Sequence, residues 1–150
     1  AEAITACKPE IMAQLVSENV RVKAEVVAKD EKEGGLRQIL NYGHTYGHAV
    51  EVLFKSEGHN LYHHGEAVAI GIEYANKLAL QRNMITDEQA VRIRQLLERF
   101  GLPLEADLVG HPEVTPAAIE EAIRHDKKVK DGKIVFILPK AIGNCEIVTI

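Results

Sequence analysis

The chain has 150 residues, 46% of them hydrophobic and 27% charged, with a formal net charge of -4 at pH 7. This length and composition are those of a single globular domain. Acidic and basic residues are interspersed, which argues against the basic patch of a nucleic-acid-binding surface, and no apolar stretch approaches the roughly 20 residues of a membrane span.

The first residues and the cysteines predict a cytoplasmic protein. The opening AEAITACKPE lacks a charged start followed by a long apolar core, so we expect no signal peptide. Cys7 and Cys145 lie near opposite ends of the chain. Two isolated cysteines in a domain of this size indicate free thiols in a reducing compartment.

Three helices are predicted in the first half of the chain. The first covers about residues 9–28, where apolar side chains recur at helical spacing (Met12, Val16, Val20 and Val27). After a charged, glycine-closed break, the second covers about residues 35–55. The third covers about residues 65–81 and is apolar almost all round, so we expect it to be buried.

Two shorter helices and a hairpin follow. Thr86, with Gln89 three residues later, predicts the capped start of a fourth helix, and Thr115-Pro116 predicts the start of a fifth. The β-branched segments KIVFILP and CEIVTI predict two paired strands. The expected fold is therefore mainly α, one multi-helix domain over residues 1–150 with a small C-terminal β-hairpin.

Chemistry-bearing residues form a stripe along the predicted second helix. Arg37, Asn41, His44 and His48 are spaced by 4, 3 and 4 residues, which places them on one helix face. The alternative is a solvated polar face with incidental histidines. Two histidines four residues apart can hold one metal ion, as in H-E-x-x-H, but this insert has no glutamate and a protease is excluded. Alternatively, one histidine binds metal and the other handles protons or phosphate.

Two glycines alternate with these histidines. Gly43 and Gly47 would each cost a helix interior about 1 kcal/mol relative to alanine. Such a pair predicts that something approaches the backbone closely, either a ligand or another helix.

Three further positions keep two interpretations open. His64 opens the third helix, where it can reach a neighbouring site or remain a surface residue. Lys23 continues the apolar stripe of the first helix, so its ammonium either reaches water or meets an anion in a polar cavity. His125-Asp126 resembles the pair of metal phosphohydrolases, but further ligands with suitable spacing are not evident.

The motifs resemble those of one enzyme family over nearly the whole chain. KAEVV from Lys23, DEKEGGLR from Asp30, LNYGHTYGHAVE and HGEAVAIG occur in the order found in 3-dehydroquinate synthase, and GLP, DKK and KIVFILPKAIG agree as well. The resemblance implies that residues 1–150 form the metal- and substrate-binding C-terminal domain. The family's N-terminal NAD-binding domain is expected to be absent.

The resemblance also assigns site residues. The family's divalent metal, zinc or cobalt, is held by one glutamate and two histidines, and His44 and His64 match the histidines. The glutamate is expected in an upstream segment, since Glu2 lies too near Lys23 to be it. The metal site is therefore expected to be incomplete.

The remaining roles follow from the same match. Lys23, Arg37 and Asn41 are implied to hold the substrate's carboxylate and hydroxyl groups, and Arg37 suits a carboxylate because its planar fork pairs bidentately. His48 is implied to handle protons at the phosphate end. Lys127, in preference to Lys128, is implied to reach the substrate.

The implied activity is that of an NAD- and metal-dependent carbon-oxygen lyase of the shikimate pathway, in aromatic amino-acid biosynthesis. It converts 3-deoxy-D-arabino-heptulosonate 7-phosphate, a phosphorylated sugar acid, to 3-dehydroquinate and phosphate. Two alternatives remain: another sugar-phosphate cyclase of the superfamily, or an isolated helical module that is inactive without its N-terminal half. No nucleic-acid or membrane partner is expected, and a homodimer is considered for the full-length enzyme.

Overall fold

The computed structural model describes residues 2–32, 34–56, 59–125, 129–130 and 133–150. The chain separates into two compact units, Ala1–Leu40 and Asn41–Ile150, and each is described by itself. The expectation of one domain over residues 1–150 stays a prediction.

The first unit is dominated by one long helix. A short α1 (Glu2–Thr5) precedes α2 (Pro9–Lys29), which confirms the helix predicted there. Proline suits the start of α2 because the first helical N–H needs no partner within the helix. None of the described side chains of α2 is buried, and Val16 and Val20 are 58% and 61% exposed.

The loop after α2 is organised by one carboxylate. Asp30 accepts hydrogen bonds from the backbone N–H groups of Gly34, Gly35 and Arg37 at 2.9, 2.8 and 2.9 Å. These hydrogen bonds hold the pKa of the Asp30 carboxyl below its ordinary value, and the bond from the Arg37 N–H has the largest effect. The loop leads into a 3₁₀ helix, Leu36–Asn41.

The predicted single helix over residues 35–55 is wrong. The 3₁₀ helix ends at Asn41, and α3 begins only at His44 and runs to Leu53. Gly43, between them, has φ of 80°, a left-handed conformation that interrupts a right-handed helix and suits glycine. Because Arg37 and Asn41 precede this break, they do not lie on one continuous helix face with His44 and His48.

The remaining elements are β1 (Lys55–Ser56), β2 (His59–Asn60), α4 (His64–Gln81), α5 (Asp87–Arg99), α6 (Pro116–His125), β3 (Val129–Lys130), β4 (Lys133–Ala141) and β5 (Asn144–Thr149). The three helices and the hairpin of β4 and β5 agree with their predictions, whereas the two-residue strands β1, β2 and β3 were not predicted. Thr86 caps α5 as expected, with its hydroxyl accepting from the N–H of Gln89.

The core of the second unit lies among α3, α4, α6 and β4. Val50, Phe54, Ala79 and Leu138 are at most 1% exposed. Eight residues of α4 are buried, which confirms the expectation from its apolar sequence. Strands β4 and β5 pair antiparallel, and the hydroxyl of Thr45 in α3 donates to the carbonyl oxygen of Val135 in β4 at 3.1 Å. The predicted fold class, mainly α with a small C-terminal hairpin, is confirmed.

Candidate metal centre

Helices α3 and α4 approach each other through glycines. A Cβ atom on Gly47 would lie 2.9 Å from the carbonyl oxygen of Ala67, and one on Gly71 would lie 1.9 Å from that of Gly43. Real Cβ contacts are essentially never shorter than 3.0 Å, so side chains at Gly47 and Gly71 would force the backbones apart. Of the two explanations offered for the paired glycines, the structure supports the neighbouring helix.

This close approach assembles three imidazoles from two helices. His44 and His48 lie one turn apart on α3, with ring centroids 5.4 Å apart. His64, the first residue of α4, has its ring centroid 5.3 Å from that of His44 and 6.2 Å from that of His48. The structure therefore brings together the three histidines that the sequence singled out.

A carboxylate joins this cluster. Glu51 lies on α3 one turn beyond His48, and its Oε1 is 3.1 Å from Nδ1 of His64. The Glu51 side chain is 20% exposed and that of His64 is 59% exposed. The contact thus links a half-buried carboxylate on one helix to an exposed imidazole at the start of the next.

The second nitrogen contact in the cluster involves the backbone. Nδ1 of His44 lies 3.2 Å from the carbonyl oxygen of Tyr42. A carbonyl oxygen only accepts, so a hydrogen bond here places the proton of a neutral imidazole on Nδ1. Nε2 then carries the lone pair that a metal requires.

Tyr42 is itself held by a buried amide. Its hydroxyl donates to Oδ1 of Asn76, which is 2% exposed. Burial, followed by the charges of Cys145 and Glu73, raises the pKa of the Tyr42 hydroxyl above its ordinary value. The hydroxyl therefore stays protonated as a donor, and the turn before His44 is anchored to α4.

The donor set fits a divalent metal such as zinc or cobalt. Imidazole nitrogens and carboxylate oxygens are both ligands of these ions. Ligand atoms of His48, Glu51 and His64 all lie within 4.8 Å of one another. His44 is outside that mutually close set, although its ring contacts those of both other histidines.

A cavity lies beside the cluster in the second unit. It has a volume of about 680 Å³ and is bounded by His48 and Glu51 on α3 and by Glu121 and His125 on α6. Lys55 also lines it. The cavity is large enough for a small-molecule ligand, whose sites typically occupy about 300–1,000 Å³.

The predicted substrate residues lie in different parts of the chain. Lys23 is exposed on α2, and Arg37 lies in the 3₁₀ helix of the first unit, where Nη1 donates to the carbonyl oxygen of Glu31 at 2.9 Å. Asn41, half-buried, ends the 3₁₀ helix and begins the second unit. Lys127 lies outside the described residues.

Sequence reasoning missed Glu51 as a member of the site. It stands three residues after His48 and seven after His44, so the helical spacing used for the histidines would have included it. Its partner His64 is 13 residues away in sequence, and no local periodicity predicts that contact.

Comparison with known proteins matches this chain to one family. Residues 1–129 match the family model described as 3-dehydroquinate synthase C-terminal. The chain is 44% identical over 139 residues to a 3-dehydroquinate synthase of Acaryochloris marina, covering 93% of this chain and 36% of the relative. It is 47% identical over 136 residues to that of Nostoc punctiforme, covering 91% of this chain and 36% of the relative. The chain thus spans little more than a third of these relatives.

Solved structures share the fold. A 2-deoxy-scyllo-inosose synthase complexed with carbaglucose-6-phosphate, NAD+ and Co2+ superposes with a TM-score of 0.79 at 24% identity, over 95% of this chain and 40% of that one. The 2-epi-5-epi-valiolone synthase of Streptomyces hygroscopicus subsp. jinggangensis, with NAD+ and Zn2+ bound, gives a TM-score of 0.77 at 26% identity, over 95% and 37%.

Membrane insertion through a helix finds no support in the part of the chain that the structure describes. None of its helices is long and apolar enough to cross a bilayer.

Proposed function

We propose that this chain, which belongs to the 3-dehydroquinate synthase C-terminal family, supplies the metal- and substrate-binding part of an NAD- and metal-dependent carbon-oxygen lyase. The proposed reaction converts 3-deoxy-D-arabino-heptulosonate 7-phosphate to 3-dehydroquinate and phosphate. The observation that carries the proposal is the cluster of three imidazoles that α3 and α4 bring together.

The two bound groups have separate tasks. NAD, when bound, supplies transient oxidation of a ring hydroxyl of the substrate and later returns the hydride. A divalent metal, when bound, polarises the reacting oxygen as a Lewis acid. The bound NAD+ and Zn2+ of the valiolone synthase support both assignments.

We assign His44 and His64 as the metal ligands of this chain and His48 as the residue that moves a proton at the phosphate end. Support for His44 comes from its Nδ1 contact with the carbonyl oxygen of Tyr42, which leaves Nε2 as the coordinating atom. The competing set is His48, Glu51 and His64, which is favoured by the short distances among its ligand atoms.

The substrate contacts rest on the family resemblance. Lys23, Arg37 and Asn41 are proposed to bind the carboxylate and hydroxyl groups, and Lys127 is proposed to reach the substrate. A guanidinium and ammonium groups suit an anionic sugar acid because each pairs with carboxylate or phosphate oxygens. Such residues contribute to the rate by holding the substrate in one orientation.

Zinc affinity separates the two ligand sets. In the full-length enzyme, we expect His44→Ala and His64→Ala to abolish tight zinc binding in a chelator competition, and His48→Ala to retain it. Equal loss in His44→Ala and His48→Ala would contradict the division of roles. Loss in His48→Ala and His64→Ala, with zinc binding retained in His44→Ala, would establish the competing set.

The substrate class is tested by a binding comparison. Arg37→Lys is expected to weaken binding of 3-deoxy-D-arabino-heptulosonate 7-phosphate, which has a carboxylate, while leaving that of glucose 6-phosphate, which has none, unchanged. An equal effect on both ligands would favour the other candidate, a sugar-phosphate cyclase with an uncarboxylated substrate. The observation that favours this second candidate is the 26% identity of the chain to the valiolone synthase.

The remaining alternative is a helical module without activity of its own. The chain spans 36% of the length of its curated relatives, so we expect the 150-residue polypeptide alone to show no turnover. Measured phosphate release from the heptulosonate phosphate by this polypeptide would contradict that expectation. Cytoplasmic location, a homodimer and the lack of a nucleic-acid partner stay predictions.

A further inference from the structure

We infer that Glu51 is a positioning residue for His64: its carboxylate accepts a hydrogen bond from Nδ1–H and thereby makes Nε2 the metal-coordinating nitrogen. The inference rests on the metal site proposed above and extends it to Glu51 on α3, the helix that faces His64. Glu51 acts through His64 in this arrangement.

The geometry is that of a hydrogen bond. Oε1 of Glu51 and Nδ1 of His64 are 3.1 Å apart, within the usual range for an N–H donor and an oxygen acceptor. Glu51 lies within α3, between buried Val50 and the end of the helix, and its side chain is only 20% exposed. The acceptor is therefore held by a packed helix.

His64 needs such a partner because its own surroundings restrain it little. Its side chain is 59% exposed at the first position of α4. An exposed imidazole exchanges between rotamers and between its two neutral tautomers. A single carboxylate contact at Nδ1 restricts both, because the ring must face Glu51 and must carry its proton on Nδ1.

The chemical consequence concerns the other ring nitrogen. A neutral imidazole with its proton on Nδ1 presents an unprotonated Nε2, and a carboxylate acceptor also increases the basicity of that nitrogen. Histidine ligands of metals commonly have such a carboxylate partner, and its removal costs about 10- to 100-fold in metal affinity. Glu51 has the position and the charge for that role.

The competing explanation makes Glu51 a direct ligand, together with His48 and His64. The 3.1 Å contact is compatible with both arrangements in distance. The two differ in the proton: a positioning carboxylate requires hydrogen on Nδ1 of His64, whereas coordination through Nδ1 excludes it. The two explanations also differ in the effect expected of Glu51→Gln on zinc affinity. The amide oxygen of glutamine accepts a hydrogen bond as a carboxylate does, but it is a weaker metal ligand.

The tautomer of His64 is measured in the metal-free 150-residue chain by long-range proton–nitrogen NMR above pH 8, with His64→Ala assigning the signal. We expect a protonated Nδ1 and an unprotonated Nε2 in the wild type and in Glu51→Gln. Glu51→Ala is expected to shift the ring towards the Nε2–H tautomer. Glu121→Ala, on α6 in the wall of the adjacent cavity, is the matched control and should leave the signal unchanged.

The zinc affinity of the full-length enzyme, measured by chelator competition, is the second measurement. Glu51→Ala should weaken binding about 10- to 100-fold, whereas Glu51→Gln should stay within a few-fold of the wild type. A Glu51→Gln loss as large as that of Glu51→Ala, or the same His64 tautomer in the wild type and Glu51→Ala, would overturn the inference. If Glu51→Ala does not fold, Glu51→Gln carries the test.

The two measurements separate this inference from the proposed function. The tautomer is observed without metal, so a wild-type Nδ1–H signal that depends on Glu51 supports the hydrogen bond whatever the affinity. Absence of zinc binding by the full-length wild-type enzyme would overturn the proposed metal site and, with it, the role of Glu51 towards the metal.

Discussion

A Cβ atom on Gly71 would lie 1.9 Å from the carbonyl oxygen of Gly43. Gly71, in the middle of α4, therefore lies directly against the turn that opens α3, immediately before His44. The absence of a side chain at Gly71 therefore allows the approach of the two helices that carry the histidine cluster.

Gly71→Ala is expected to destabilise the second unit, because the added methyl group meets a backbone atom that cannot rotate away. Overpacking of this kind costs about 1–3 kcal/mol. Urea unfolding followed by circular dichroism measures the loss. Gly65→Ala is the matched control, since no described atom lies within 4 Å of a Cβ there; unchanged stability in Gly71→Ala would show that the helices readily separate.

Tyr42→Phe is expected to lower the free energy of unfolding by about 1–3 kcal/mol, because it removes the donor to a buried amide. Asn76 is 2% exposed, and its Nδ2 has no hydrogen-bond partner among the described residues. Thermal unfolding monitored at equilibrium gives the difference.

A double substitution tests the cause of that loss. Tyr42→Phe with Asn76→Leu removes both polar partners, and we expect it to recover part of the stability, since a pair of apolar replacements leaves no unsatisfied group. A loss equal to the sum of the two single substitutions would indicate that packing, and not the hydrogen bond, dominates.

Asp30 is expected to make the first unit sensitive to acid. Its folded-state pKa lies below the ordinary value of 3.8, so its stabilising effect is complete above that value and is lost as the pH falls through the lowered pKa. The side-chain carboxyl signal of Asp30 should titrate below the ordinary range in NMR. The amide signals of Gly34 and Gly35 should follow the same midpoint in the wild type and show no such transition in Asp30→Asn; an ordinary midpoint would contradict the loop geometry.

Zinc is expected to raise the unfolding temperature of the chain, because a ligand that binds only the folded state stabilises it. At about 100 times the dissociation constant the gain is about 2.7 kcal/mol. Calorimetry with and without zinc measures it, and a chelator should reverse it. His64→Ala should lose the shift.

The matched control for zinc is His111→Ala. His111 also pairs with a carboxylate, Glu113, at 3.1 Å, but it is not among the three clustered histidines. The His111→Ala variant should retain the zinc-dependent rise in unfolding temperature. An equal loss in both variants would indicate scattered surface binding.

Much of the fold could be predicted because its signals are local. The apolar sequence of α4, the Thr86 cap of α5 and the β-branched strands of the hairpin each depend on neighbouring residues. The continuous helix through Gly43 was wrong because a glycine within an apolar pattern does not indicate whether its φ is negative or positive.

The candidate site was predictable in part. His44, His48 and His64 stand out by residue type and spacing, and the structure brings their rings within 5.3–6.2 Å of one another. Their division into metal ligands and a proton carrier remains a prediction. Neither the helix that covers the paired glycines nor the carboxylate that faces His64 was identified from spacing.

The sequence by itself determined which residue types could do metal and acid–base chemistry, and on which helices most of them lie, because helical periodicity is a property of adjacent residues. Only the tertiary structure decided that α4 approaches α3 closely enough to place His64 beside His44 and Glu51 beside His64. The physical reason is that this approach depends on contacts between distant glycines and backbone atoms, and a contact across two helices has no local periodicity.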